Sequence, residues 1–508
     1  EFSVLEDVDL PNWVPYAKEF VDYAHSRGIL CSVDLSLHMI QQKAFKLVQF
    51  PPKTLRPFKK QIDQKLDQLL SVGWDFINME FATAEFVGGF ARMRHRLRAY
   101  VVEKIRAHKG VKLIGRQHVV KPEDELGGKK AHSRNGKVED ADRGILIHTV
   151  MSYGIADSVA PVYELKNFRH LYDMLMAEDK VRETWYYPES AYWITFDNSV
   201  PMLILPYLSA RFRDIQKMKK LGIPGHVTFS SGWEWGYWLV DWSIARWSWE
   251  YEMDGKVMAR RVMEGVEKLF GKNEISRSMA RAHQVQKTTM IDKNALRFLC
   301  PASSTDEFPS PFNKQFQPRP HPSWKELYNN PTGANILYLN KSMEQLMVLS
   351  QGLRKAVTTM RLQKGTPHYP DGLREILLQE LMDALRITMR RAEFRHAWIT
   401  ILRNALQMRL EDNGDWEVQM ETPLAQLEDR RQEALEIVQR QETRYRYPVS
   451  SIAREHENSY TAYEFGYLWP VSNLHFWSRE IEQLREGKFS PFFMNIWDFG
   501  RIGGVKKK

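Results

Sequence analysis

The sequence predicts an α/β fold: a (β/α)8-type barrel, whose first two strands would lie ahead of residue 1 or be supplied by another segment, followed by an all-α C-terminal domain. Three observations predict it. Short apolar stretches alternate with helical ones six times over about 230 residues, the pattern of a parallel sheet covered by helices on its outer face. Polar residues gather at the C-terminal end of each apolar stretch, where a barrel carries its chemistry. From about residue 253 onward the apolar period is helical throughout. A doubly wound sheet is the competitor, but no Gly-x-Gly-x-x-Gly turn follows any of the strands.

Taken in order, Trp13, Ala17, Phe20, Val21 and Ala24 have helical spacing, Gly28 ends that helix, and Ile-Leu-Cys-Ser-Val-Asp-Leu-Ser-Leu at 29–37 reads as a buried strand. A helix at about 58–72 closes at Gly73 before the strand 75–81. A basic helix at 91–109 closes at Gly110 before the strand 111–118. The strand 145–153, a helix at 165–179, the strand 183–189, a helix at 201–221 and the strand 225–231 complete the alternation. A polar loop at 121–143 is long enough to be a lid on the carboxyl-end face. These units give a barrel domain at 1–250, a helical domain at 251–457 and an aromatic-rich segment at 458–508 that should pack on the barrel or on a partner.

The chemistry concentrates at 183–193, Glu-Thr-Trp-Tyr-Tyr-Pro-Glu-Ser-Ala-Tyr-Trp. Glu189 follows Pro188 and stands among Trp185, Tyr186, Tyr187, Tyr192 and Trp193, and such apolar walls raise a carboxyl pKa or cradle a sugar ring. An ordinary surface Glu after a strand is the alternative. In 76–81, alternation puts Asn78 and Glu80 on one face and Ile77, Met79 and Phe81 on the other, which aims Glu80 into the barrel mouth, with Glu85 in the following loop as its rival. Two carboxylates facing one cavity suit glycosidic cleavage, one protonating the leaving oxygen and the other attacking carbon or activating water. Other strand ends add Asp34, His38, Arg116, His118, His148 and Tyr153 as hydroxyl-binding candidates. Trp233 and Trp235 are placed to stack on a pyranose with Glu234 between them, whereas Trp238, Trp242 and Trp249 recur at helical spacing and should be core.

His25-Ser-Arg-Gly-Ile-Leu-Cys-Ser-Val-Asp34 resembles the third helix–strand unit of TIM-barrel glycoside hydrolases. The resemblance implies that 75–81 is the fourth strand and 183–189 the seventh, the positions where many retaining members keep acid/base and nucleophile. It therefore casts Glu80 as the acid and Glu189 as the nucleophile. Asn78-Met-Glu80 only approximates the adjacent Asn-Glu pair of such enzymes, which leaves the exact family open. The implied function is hydrolysis of a poly- or oligosaccharide without a cofactor. A catalytically silent barrel used for carbohydrate binding or assembly is the alternative. A second is a metal-dependent TIM-barrel hydrolase built on Asp34, His38, Glu80, His118 and His148, although no His-x-His or His-x-x-x-His supports a metal.

Composition narrows the partners. A formal net charge of +9 suits an acidic glycan, but the basic residues are spread along helices and Arg386 to Arg409 reads as a solvated helix surface, so no nucleic acid is expected. No apolar run is long enough to span a membrane. Homo-oligomer contacts would use the helical domain or the aromatic segment. Cys31 and Cys300 make no disulfide framework, and a periplasmic or extracellular location is favoured over a cytoplasmic one.

Overall fold

The computed structural model describes residues 2–3, 10–35, 37, 46–48, 55–80, 91–117, 144–160, 166–190, 202–228, 236–249, 258–299, 324–411, 416–442 and 474–486. Its sheet has seven parallel strands whose neighbour order is the order of the sequence. These are β1 (Phe2–Ser3), β2 (Ser32–Leu35), β3 (Phe76–Glu80), β4 (Lys112–Gln117), β5 (Gly144–Thr149), β6 (Glu183–Pro188) and β7 (Gly225–His226). The helices between them are α1 (Leu10–Ser26), α2 (Leu55–Leu70), α3 (Ala91–Ala107), α4 (Arg169–Glu178) and α5 (Pro206–Leu221). Because the order never reverses, there is no doubly wound switch point, and the winding is that of a partial (β/α) barrel. No pairing of β7 with β1 occurs among the described residues.

The free side of β2, which the sequence leaves to strands ahead of residue 1 or to another segment, is covered by a segment the sequence did not assign, β1, with Phe2 opposite Val33 and Ser3 opposite Asp34. Two residues are too few to show period-2 alternation, but they satisfy an edge that would otherwise stay open.

Four of the five helix-to-strand steps use the same device, the exception being the step from α4, whose C-cap Asp179 is right-handed. The chain leaves α1, α2, α3 and α5 through Gly28, Gly73, Gly110 and Gly222, all left-handed, and the Gly222 N–H caps the Lys219 and Met218 carbonyls. Val33, Leu35, Ile77, Met79 and Leu113 then pack against α1–α3, each fully buried aliphatic side chain contributing about 1.5–3 kcal/mol. The opposite face carries Ile114, Leu146 and Tyr187 with Phe76, Trp185 and Val227.

The rest is helical: α6 (Trp238–Trp249), α7 (Met258–Phe270), α8 (Glu274–Gln286), a π-helical turn at Lys287–Asp292, a 3-10 turn at Ala295–Leu299, α9 (Trp324–Asn329), α10 (Gly333–Leu362), α11 (Gly372–Glu411), α12 (Trp416–Glu442) and α13 (His475–Arg485). The apolar core runs without a break from Ile145 and Ile147 of β5 to Ile399 of α11 and Trp477 of α13. Of the expected core tryptophans on α6, Trp238 and Trp242 are half-buried and Trp249 is exposed, the buried position being Trp247. Polar clamps join the helices to the strand-end loops: the Leu203 N–H donates to Thr388 Oγ1 at 3.0 Å, the Leu205 N–H to Gln286 Oε1 at 2.7 Å, and the Gly236 N–H to Glu380 Oε1 at 2.8 Å. α13 docks on α11 through Arg391, whose two terminal nitrogens reach Glu480 at 2.7 and 2.6 Å, and through Trp477 against Phe394. This described part of the aromatic segment packs on the helices rather than on the sheet.

Candidate active site

In a pleated strand alternate residues share a face, so the face opposite the helices receives Asp34 from β2, Asn78 from β3, Arg116 from β4, His148 from β5 and, just past β6, Glu189. Register sets their neighbours: Asp34 lies opposite Asn78, Glu80 opposite Arg116, and His148 opposite Tyr187. Every one of these side chains that is described is buried or nearly so. The Glu80 backbone belongs to β3, but its side chain lies outside the described residues, as do His38, Glu85, His118, Trp193, Trp233, Glu234 and Trp235.

The side chains form two linked groups. In the first, Arg116 Nη1 donates to Asp34 Oδ2 at 2.5 Å. Burial pushes the Asp34 carboxyl above its ordinary value, against the pull of Arg116. In the second, Glu189 Oε2 accepts the Met151 N–H at 2.5 Å, and its Oε1 lies 4.0 Å from His148 Nε2.

That His–Glu pair is not an ion pair. Burial pulls His148 down to about 3, with the Arg116 and Arg211 charges acting in the same sense. Burial pushes Glu189 up to about 8, opposed by the Met151 N–H and the Arg211 charge. At neutral pH the histidine is therefore uncharged and the carboxyl keeps its proton. The tautomer follows from the other ring nitrogen: His148 Nδ1 is 2.8 Å from the Tyr187 carbonyl, which can only accept, so Nδ1 carries the hydrogen and Nε2 offers its lone pair. Since Glu189 Oε2 already accepts from Met151, its proton sits on Oε1, facing that lone pair. The Tyr187 ring covers His148 with centroids 4.7 Å apart.

Met151 holds the carboxyl at a conformational cost. Its φ is +64°, left-handed for a residue with a side chain, and a strain of about 1–2 kcal/mol of this kind persists only where the surroundings impose it. The turn 150–155 is fixed from behind by α5. Arg211, fully buried, donates to the Glu189 carbonyl at 2.9 Å and to the Tyr153 carbonyl, and pairs with Asp214 at 3.0 Å. Asp214 accepts the Tyr186 hydroxyl at 2.8 Å and the Ile155 N–H at 3.0 Å, and Thr149 Oγ1 in turn lies 2.7 Å from Tyr186 Oη. Burial pushes Asp214 up to about 6 and pulls His226, next to Tyr186, down to about 3.

Of the candidates the sequence named, Glu189, His148, Tyr187, Asp34, Arg116 and Asn78 meet on one face, and Tyr153 enters through its backbone. Sequence reasoning missed Arg211, Asp214, Met151 and Thr149, and named Tyr186 only as part of the aromatic wall. A signal for the first two existed: Arg211 and Asp214 interrupt, at i and i+3, the apolar face of α5. No set of His, Cys, Asp and Glu that could hold a metal ion occurs among the described residues. No helix of the described residues is long and apolar enough to cross a membrane.

No family model matches the chain, and no curated protein matches it. Solved structures do, and these neighbours are glycoside hydrolases. A GH138 enzyme targeting pectin rhamnogalacturonan II is 11% identical with a TM-score of 0.41, the alignment covering 98% of this chain and 66% of that one. A mutant O-GlcNAc hydrolase of Thermobaculum terrenum is 10% identical with a TM-score of 0.38, covering 94% and 85% respectively. CpGH84D is 10% identical with a TM-score of 0.38, covering 82% of this chain and 60% of that chain.

Proposed function

We propose that the chain is a glycoside hydrolase acting on a poly- or oligosaccharide, with Glu189 as the proton donor and Glu80 as the second carboxylate. The observation that carries this reading is the state of Glu189: a buried carboxyl pushed up to about 8, at the carboxyl end of β6, beside an uncharged histidine. A group that acts as an acid at neutral pH must still hold its proton there, and burial achieves that. The environment also helps the proton leave. Once Glu189 gives its Oε1 proton to the glycosidic oxygen and the carbon–oxygen bond breaks, the carboxylate left behind is stabilised by the Met151 N–H and the nearby Arg211 charge. Glu80, on the same face by strand parity and three strands away, would attack the anomeric carbon or take a proton from water. These roles exchange those implied by the family resemblance, because a nucleophile has to be ionised and Glu189 is not.

Arg116, Asp34, Asn78, His148 and Tyr187 would hold sugar hydroxyls around this pair. The test is turnover on a glycan panel by the wild type, Glu80→Gln and Glu189→Gln. Loss of activity in both variants with folding retained is the expected result. Full activity in Glu189→Gln would refute its role, and with an aryl glycoside, whose leaving group needs little protonation, Glu189→Gln should recover rate while Glu80→Gln does not.

A further inference from the structure

Where the end of α10, the start of α11 and the end of α12 meet, the surface holds a cleft of about 440 Å³ whose walls are mostly cationic. Arg361 comes from the last turn of α10 and Lys364 from the turn after it, Arg386 from α11, and Arg440 from the last turn of α12. Two carboxylates face these four cations. Asp383, fully buried, takes Arg440 at 2.8 Å and Arg386 at 3.2 Å, while Glu375 lies 3.8 Å from Lys364. Among the described residues that is four positive charges against two negative, and no carboxylate of these is paired with Arg361.

The crowding has a physical cost. Burial pulls Arg386 below its ordinary value, and Arg440 and Arg361 act in the same sense against Asp383. Basic residues at helix C-termini are ordinarily solvated partners of the helix dipole. Here two such ends and a third helix bring them to the rim of one open cleft, where Arg361, Lys364 and Arg440 stay exposed and Arg386 is half-buried. An oxyanion placed between planar guanidinium forks would relieve the repulsion and accept paired hydrogen bonds.

Size indicates what carries the oxyanion. A water molecule takes about 30 Å³ of liquid, so the cleft has room for on the order of fifteen, far beyond a bare inorganic anion and within the ~300–1,000 Å³ of small-molecule sites. Ile376 supplies an apolar patch on a wall that is otherwise polar. We infer that this cleft binds a sugar-sized molecule bearing an anionic ester, a phosphate or a sulfate, through Arg361, Lys364, Arg386 and Arg440. The inference is independent of the active-site reading, since none of these residues belongs to the strand ends.

The experiment is calorimetric titration of the full chain with a hexose 6-phosphate, the matching hexose 6-sulfate, the uncharged hexose and inorganic phosphate. Either ester should bind at least about tenfold more tightly than the uncharged hexose and than inorganic phosphate, and its affinity should fall steeply between about 0.05 and about 0.5 M salt. Preference for one ester identifies the source of the anion and supports the site. Arg361→Gln and Lys364→Gln together should weaken ester binding by about tenfold or more, with glycan turnover unchanged. Binding that ignores salt, binding equal to that of the uncharged hexose or of inorganic phosphate, or no binding by the wild type would overturn the inference. Should the double variant unfold, the salt dependence of the wild type and Arg361→Gln alone decide it.

Discussion

Glu189→Gln tests the electrostatics of the site without needing a substrate. The side chain keeps its shape, and Gln Oε1 can still accept the Met151 N–H that Glu189 Oε2 accepts at 2.5 Å. What changes is proton linkage. In the folded protein the carboxyl is pushed up to about 8 from an ordinary 4.5. Between those values the folded state holds a proton that the unfolded state has released, so stability falls as pH rises, by ~1.36 kcal/mol per pH unit. The penalty is nil below about pH 4.5, about 3 kcal/mol near pH 7 and approaches 5 kcal/mol at about pH 8. Glutamine does not titrate and carries none of it. The variant should therefore match the wild type in urea resistance at about pH 4.5 and exceed it increasingly as pH rises, with the gap levelling off above about pH 8. Urea unfolding of both proteins, followed by tryptophan emission across that range, measures the gap. Because a chain of 508 residues need not unfold in one step, the pH dependence of the difference is the readout rather than either absolute value. A gap that is constant with pH would refute the assignment of a protonated Glu189, and with it the proposed acid.

Arg116→Met should cost about 3–5 kcal/mol, because it strands the buried Asp34 carboxylate now held at 2.5 Å, and Asp34→Leu added to it should restore most of the loss; denaturant midpoints of the single and double variants check this. Acid should destabilise the wild type: burial pulls His148 and His226 down to about 3 and His283 to about 4, so below their ordinary 6.5 the unfolded state binds the extra protons and stability drops with falling pH. Glu189, and Asp214 pushed up to about 6, act in the opposite sense over part of that range, leaving a net loss on the order of 1 kcal/mol per pH unit near pH 5, and an unfolding midpoint that rises toward acid would contradict it. Tyr186→Phe should cost about 1–3 kcal/mol by removing the hydroxyl between Thr149 and Asp214, read as a lower thermal midpoint. The pH profile of glycan turnover should be bell-shaped, and an alkaline limb that vanishes near about pH 6 instead of about 8 would separate Glu189 from the acid role.

The inner face of the sheet was legible in the sequence because parity is a local property. Asn78 alternates with Ile77 and Met79, which leaves it one choice of side, whereas His148 and Glu189 were legible only as polar residues towards strand ends, and register brings them together. The strand starts and glycine stops were legible for the same reason. β1 was not, since a strand of two residues is defined by the partner it meets across the sheet and not by its own pattern. Nor were Arg211 and Asp214, whose reach from a helix to the back of a strand-end turn depends on how α5 is packed. The proton on Glu189 was legible in cause, as an apolar wall, but its direction of use was not. Family analogy cast Glu189 as the nucleophile, whereas the burial that pushes its carboxyl up to about 8 favours the acid role proposed above.

The clamps at Leu203, Leu205 and Gly236 bear on how the chain could be divided. They fasten the segments that follow β6 and β7 to Thr388, Gln286 and Glu380, all on helices that come later in the chain. A ribosome that has released the sheet but not yet α11 would hold these backbone N–H groups without their acceptors, so the strand-end loops acquire their final shape only after about three quarters of the chain has emerged. Cutting the gene near residue 250 would therefore yield a sheet fragment whose strand-end loops lack the acceptors that hold them.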